Sequence, residues 1–310
     1  MISDSEIEKR IQDSYELKNN VLKVVPNPLV TVRTSTYQHA PFIKKCIEGV
    51  LMQKTDFPIE FIIGEDYSKD GTREIVFEYA KKYPDIIRVF TADYNVGSKA
   101  NGRRCIKAAR GKYMALCEGD DYWTDPLKLQ KQVAFIQKNN NCSLVFHPAR
   151  CIYNNEIIRI HGPNIKKKYS YFSVNDIIKE PDTLIPTNSM LFRTKYYNSY
   201  PKWTTNCPVG DLPLTLILAH YGQVGFINEN MSNYRVMTEG SWSNTMLESR
   251  KKRKIHDQKI KKMWKEFDVW SNFSYSKLIR KVLLLTYYRI LKRELKIRGS
   301  NFFNTIKNNY

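Results

Sequence analysis

Apolar and polar positions fall into two alternating rhythms along the first third of the chain. Leu29-Val30-Thr31-Val32-Arg33-Thr34 is a β-branched run with the character of a buried strand. After it, Phe42, Cys46, Ile47, Val50 and Leu51 recur at helical spacing, and Pro41 sits in the first turn. Ile59-Glu60-Phe61-Ile62-Ile63 predicts a second strand. Asp70-Gly71-Thr72-Arg73-Glu74 opens a second helix with the stripe Ile75, Val76, Tyr79 and Ala80, and Pro84 follows its end. Ile86 to Phe90 predicts a third strand. Gly97 to Arg110 predicts a helix with Gly111 as its C′ residue, and Tyr113 to Cys117 predicts a fourth strand. Such a βαβαβαβ series with short crossovers predicts a mainly parallel, Rossmann-like sheet flanked by helices.

The rhythm loosens afterwards. A helix is expected over 128–138, a strand over 143–146 and a hairpin pairing 151–153 with 156–159 through Asn154-Asn155. A short helix over 173–178, a strand over 189–193 and an apolar helix from Asp211 to Tyr221, closed by Gly222, complete the body. From Lys251 the chain turns basic, aromatic and helix-prone.

Charge changes this picture only at the C-terminus. Of the formal net +19, residues 250–310 contribute +14, from 18 Lys/Arg against 4 Asp/Glu. Basic residues interleaved with Trp264, Trp270, Tyr287 and Tyr288 suit an anionic membrane surface. A helical appendage packed on the body and a nucleic-acid contact are the alternatives, with nucleic acid ranked last. The six cysteines form no CxxC pair, which fits small buried hydrophobes in a reducing compartment and gives no zinc ribbon. Met1 to Asn20 lacks the apolar core of a signal peptide, and no apolar run reaches spanning length. The expected location is cytoplasmic, with peripheral attachment to the inner face of the plasma membrane.

The chemistry concentrates at Cys117-Glu118-Gly119-Asp120-Asp121-Tyr122-Trp123. Three carboxylates in four residues repel one another unless positive charge sits among them. A hard divalent cation, Mn²⁺ or Mg²⁺, suits oxygen ligands and substrate phosphates. The cluster lies where a strand ends, and ligands of open α/β sheets bind at that edge. A solvated acidic turn is the bland alternative.

The order of these motifs resembles the family 2 glycosyltransferases, over roughly residues 28–245. That resemblance implies a GT-A fold and an inverting, metal-dependent enzyme that uses a nucleotide sugar. Ser35-Thr36-Tyr37-Gln38 is similar to the family's turn after the first strand. Glu65-Asp66-Tyr67-Ser68-Lys69-Asp70-Gly71-Thr72 is similar to its acidic motif after the second. The resemblance puts Thr36, Tyr37, Glu65 and Asp66 at the nucleoside, with Asp66 facing the base. Asp70 reads as part of the helix N-terminal turn. Asn95 to Asn101 matches a segment near the nucleotide, where many members carry an Arg. That position is Gly102 here, leaving Lys99, Arg103 or Arg104 to supply the charge, with Asn101 beside them. The family's Asp-x-Asp signature falls on Glu118-Gly119-Asp120. Asp120 is the expected metal ligand, with Glu118 at the metal or the ribose. Asp121 is assigned to structure or to the acceptor side, and Tyr122 and Trp123 to sugar or loop packing.

An inverting transfer also needs a base for the acceptor hydroxyl. The family places it in a Glu-Asp pair before a helix, which here reads Gly210-Asp211, so Asp211 is the expected base; a plain helix cap is the alternative. Tyr234-Arg235-Val236-Met237 resembles a Tyr-Arg-x-His element with Met in place of His. Arg235 is expected at the diphosphate or bracing the site loop, and Trp242 in a lid. The domain reading is a helical lead-in (1–27), a nucleotide-sugar half (28–125), an acceptor half (126–249) and a basic helical tail (250–310). The expected function is transfer of a sugar, by default from a UDP-sugar, to a glycan or lipid-linked acceptor of a surface polysaccharide. The rivals are a sugar-nucleotide binder without turnover, a nucleotidyltransferase and a nucleic-acid-binding protein.

Overall fold

A computed structural model describes residues 3–17, 25–181, 183–197, 200–237 and 249–307. The first half runs α1 (Asp4–Gln12), β1 (Tyr15–Glu16), β2 (Val30–Thr36), α2 (Ala40–Leu51), β3 (Ile59–Glu65), α3 (Thr72–Lys82), β4 (Ile87–Thr91), α4 (Ser98–Ala108) and β5 (Tyr113–Leu116). The second half continues with β6 (Tyr122–Trp123), α5 (Lys128–Lys138), β7 (Cys142–Phe146), β8 (Ala149–Tyr153), β9 (Glu156–His161), β10 (Tyr169–Phe172) and α6 (Val174–Lys179). Then come β11 (Leu191–Arg193), α7 (Asp211–Tyr221), β12 (Gln223–Ile227) and β13 (Ser232–Arg235). Two helices, α8 (Arg250–Trp270) and α9 (Ser276–Lys307), form the tail.

The main sheet has nine strands in the order β1-β4-β3-β2-β5-β11-β7-β12-β10. Its core, β4-β3-β2-β5, is parallel as expected. The sheet as a whole is mixed, because β11 runs antiparallel between β5 and β7, and β1 and β10 add antiparallel edges. A second sheet, β6-β13-β8-β9, joins the residues after the acidic cluster to the Tyr234-Arg235 strand. The β8–β9 hairpin turns at Asn154 and Asn155, both with positive φ, as a tight asparagine turn requires.

Strand alternation divides the core in two. Val30 and Val32 of β2, Phe61 and Ile63 of β3, and Tyr113 and Ala115 of β5 pack under α2, α3 and α5. Met114, Leu116, Leu144, Phe146 and Phe192 face the other way, against α6, α7 and the tail. There α8 buries Met263, Trp264 and Phe267, so the first part of the tail is packed on the body rather than solvated. Farther along, Leu284, Tyr287 and Tyr288 of α9 are exposed. No described helix is long and apolar enough to cross a membrane.

Gly111 serves a different purpose from the expected helix cap. α4 ends at Ala108, and a Cβ at Gly111 would lie 2.3 Å from the Thr31 backbone nitrogen. The glycine lets the chain cross β2 closely before β5 begins. All six cysteines are free and buried, in line with the sequence reading.

Candidate functional site

The parallel register brings three strand ends together. Thr36 pairs with Glu65 across β2 and β3, and Arg33 pairs with Leu116 across β2 and β5. Backbone bonds continue past the strands, from Asp66 N to the Thr36 carbonyl (3.1 Å) and from Gly119 N to the Ser35 carbonyl (3.0 Å). Gly119 sits so tightly that a Cβ there would meet Thr36 Oγ1 at 2.6 Å and His39 Nδ1 at 2.7 Å. Thr36, Asp66 and the acidic cluster therefore stand side by side at the carboxyl edge of the sheet, where α/β folds hold ligands. Gln38 and Tyr67, directly after β2 and β3, both take positive φ, and Met237 after β13 does too. Non-glycine residues in that region store strain, which gathers at functional loops.

The acids divide by environment. Glu118 forms an ion pair with Arg33, and its other oxygen accepts from Ser35 N at 3.3 Å. Asp121 is buried. One oxygen accepts from Arg235 N at 2.8 Å, and the other has no hydrogen-bond partner among the described residues. Burial, and then the neighbouring Asp120, push its carboxyl well above the ordinary range. Asp120 is only half-buried, and its backbone carbonyl accepts from the Arg235 guanidinium. That guanidinium also lies over the rings of Tyr122 (4.5 Å) and Phe42 (4.8 Å), which makes Arg235 a brace for the loop.

Asp66 is buried, and its carboxylate accepts from the backbone of Val96 (2.8 Å) and Gly97 (3.1 Å). Burial raises its pKa against those bonds. Tyr37 is exposed at the carboxyl edge of the sheet. Glu65 is wholly buried between Ser68 N, Thr91 and Arg73, a structural set of partners. Asn101 donates to the Gly64 carbonyl and accepts from the buried Arg104. Lys99 and Arg103 reach the backbone and side chain of Thr205, and Arg103 also bonds Asp4. Burial, then Lys259, lower the Lys99 pKa. The three cations expected to replace an arginine at position 102 thus have protein partners away from the acids. Besides Arg235, a cation at the acids is Arg33, for which the sequence analysis gave no role. Its signal was a charged residue inside a buried β-branched strand.

Asp211 stands exposed at the first turn of α7, where one oxygen accepts from its neighbour Leu212 N and the other from Thr187 Oγ1 at 3.3 Å. The half-buried Tyr234 hydroxyl is pushed up by burial first, and then by the charges of Asp121, Asp120 and Asp211. Asp70 accepts from Thr72 and Ala40, the helix-turn role expected of it. Trp123 is a core residue: its indole N–H donates to the Asn188 carbonyl, and Lys128 covers its ring. Trp242 lies outside the described residues.

Glycosyl transferase family 2 matches residues 31–200. The chain belongs to that family. It is 35% identical over 222 residues to an uncharacterized protein of Mycobacterium tuberculosis, a match covering 72% of this chain and 63% of that one. The chain therefore spans under two thirds of that relative. The minor teichoic acid biosynthesis protein GgaB of Bacillus subtilis is 27% identical over 64% of this chain and 22% of its own. Among solved structures, Staphylococcus aureus TarS 1-349 in complex with UDP-GlcNAc superposes with a TM-score of 0.60 at 18% identity, covering 76% of this chain and 66% of that one. The mannosyltransferase PcManGT of Pyrobaculum calidifontis, in complex with GDP-Man and Mn²⁺, gives 0.52 at 12% identity over 96% and 86%. These likenesses establish the GT-A fold.

A divalent cation fits the acidic cluster in one way. Among the described residues no group of three or more His, Cys, Asp or Glu forms a complete ligand cage. Arg33 already neutralises Glu118, and Asp121 is buried against Arg235. Asp120 is the remaining acid of the cluster, and one carboxylate plus phosphate oxygens is a set that Mg²⁺ or Mn²⁺ accepts.

Proposed function

We propose that the chain is an inverting, metal-dependent hexosyltransferase. Its donor is a nucleotide sugar, by default a UDP-sugar, and its acceptor a glycan or lipid-linked glycan of a surface polysaccharide. One observation carries this reading: Thr36, Asp66 and the loop that bears Asp120 are joined by backbone hydrogen bonds at the carboxyl ends of β2, β3 and β5. The UDP-GlcNAc held by TarS, the Mn²⁺ held by PcManGT and the teichoic acid role in the name of GgaB support it.

In this reading Thr36, Tyr37 and Asp66 hold the nucleoside, and Asp66 exchanges its backbone partners for the base. Asp120 holds Mn²⁺ or Mg²⁺, with Glu118 at the ribose or the metal edge. The bound cation supplies charge neutralisation for the departing nucleoside diphosphate. Asp211 accepts the proton of the acceptor hydroxyl. That oxygen bonds to the anomeric carbon from the face opposite the diphosphate. The carbon–oxygen bond to the diphosphate breaks, its electron pair leaves with the nucleotide, and the configuration inverts. Arg235 fixes the loop that carries Asp120. α4 borders the nucleotide side with Lys99, Asn101 and Arg103 held by protein partners, and Asp121 ties the acidic loop to Arg235. The exposed apolar and basic surface of α9 rests on the anionic inner face of the plasma membrane, close to a lipid-linked acceptor.

A thermal-shift panel of nucleotide sugars, with and without Mn²⁺, tests the reading. One donor should raise Tm only when metal is present. No shift with any donor would remove the nucleotide-sugar assignment. Asp211→Asn should abolish transfer and keep donor binding, and turnover equal to wild type would remove the base assignment.

A further inference from the structure

A second cavity lies at the opposite edge of the main sheet from the acidic cluster. It has a volume of about 510 Å³ and opens at the amino ends of β7 and β12, between the end of α7 and the start of α9. Its walls are rings and amides. Tyr196 and Tyr221 stack 5.0 Å apart and 6° from parallel. His220 shares a hydrogen bond with the Tyr275 hydroxyl at 3.3 Å and lies 4.8 Å from the Trp270 ring. The rings hold one another in place before any ligand arrives. Asn140, Asn141, Asn175 and Gln223 supply donors and acceptors around them.

The lining has no Lys, Arg, Asp or Glu among the described residues, on a chain of formal net charge +19. Partial burial lowers the His220 pKa, which keeps that ring neutral near pH 7. The Lys195 ammonium lies 4.9 Å from the centre of the Tyr196 ring, but no lining residue itself carries a positive side chain that would draw a phosphate in. An uncharged ligand with an apolar ring face and many hydroxyls matches both wall types: the face packs on tyrosine and the hydroxyls pair with amides.

We propose that this cavity is a second carbohydrate site, which binds a neutral sugar unit of the acceptor glycan away from the transfer centre. The proposal rests on the reading above for the identity of the glycan as acceptor. α7 joins the two places. Asp211 begins the helix and Tyr221 ends it, so they stand about 15 Å apart at 1.5 Å per residue. An extended acceptor held at Tyr221 would be kept on the enzyme between transfers.

Saturation-transfer NMR on the full chain tests the site, with N,N′-diacetylchitobiose and mannobiose as neutral probes and digalacturonate as the charged comparison. UDP binding is measured on the same samples. A neutral disaccharide should receive saturation and digalacturonate should not. Tyr221→Ala should weaken the neutral probe roughly tenfold and leave UDP binding unchanged. Asn175→Ala, at an exposed amide, should weaken it as well and serves as the reading if Tyr221→Ala fails to fold. Absence of transfer to both neutral probes overturns the proposal, as does transfer undiminished in the folded variants. Loss of UDP binding in the wild type would instead sink the nucleotide-sugar reading and leave the disaccharide result standing.

Discussion

Lys128 offers a measurable test of how the site's inner wall is held. Its ammonium is fully buried, donates to Gln132 Oε1 at 2.7 Å and sits 3.9 Å from the centre of the Trp123 ring. Burial lowers its pKa from 10.5 to about 7, against the weaker pull of Cys117 and Asp125. Above pH 7 the folded chain therefore holds Lys128 neutral, whereas the unfolded chain keeps it protonated up to about pH 10.5. The unfolded state binds the extra proton in that window, so stability rises with pH there and is lost as pH falls towards 7. The limiting slope is about 1.4 kcal/mol per pH unit, and the gain between pH 7 and pH 9 is about 2 kcal/mol. Lys128→Met keeps the length and removes the proton. Urea unfolding of both proteins at pH 7, 8 and 9 should show the wild type gaining about 2 kcal/mol relative to the variant. At pH 7 the relief of burying the amine is offset by about 1–3 kcal/mol for the unpartnered Gln132 oxygen. A wild-type-minus-variant difference constant across the three pH values would refute the buried neutral lysine.

Three further expectations concern the proposed site and the tail. Gly119→Ala forces a methyl to within 2.6 Å of Thr36 Oγ1. It should cost about 1–3 kcal/mol in urea unfolding and weaken donor binding by calorimetry. Arg235→Ala removes the bond to the Asp120 carbonyl and two ring contacts. It should lower stability by about 2–3 kcal/mol and kcat/KM by at least roughly tenfold, and Arg235→Lys should restore little, because an ammonium lacks the planar stack. A chain ending at residue 283 keeps the buried Met263, Trp264, Phe267 and Ile279 and the packed Val282 and Leu283, so it should fold with a similar Tm and lose sedimentation with anionic vesicles. Undiminished sedimentation would take the membrane contact away from α9.

What the sequence disclosed and what it hid follow from range. Each element from β2 to β5 came from local periodicity, and the parallel β4-β3-β2-β5 core followed from short crossovers. The limits of α5 and α7 were visible because stripe, cap and Gly222 lie within one window. The insertion of β11 between β5 and β7 was not, since that pairing joins residues far apart and three residues carry little signal. The same holds for β6 with β13, which turns Trp123 inward and brings Arg235 under the acidic loop. Within the proposed site, Thr36 and Asp66 lie beside the acidic loop because parallel register aligns the ends of β2, β3 and β5. Glu65, Asn101, Lys99 and Arg103 have protein partners instead, because the direction of a side chain off α4 or β3 depends on packing that no motif encodes.

The pairing of Arg33 with Glu118 binds two positions that lie far apart in the chain. Neutralising either one alone strands an opposite charge in a half-dry slot, which costs more than changing both. Gly102 is a third member, since a Cβ there would come to 3.0 Å from Arg33 Nη1. In other sequences of this lineage the three should be inherited as a set. Where residue 33 turns apolar, 118 should lose its carboxylate or 102 should gain a long basic side chain.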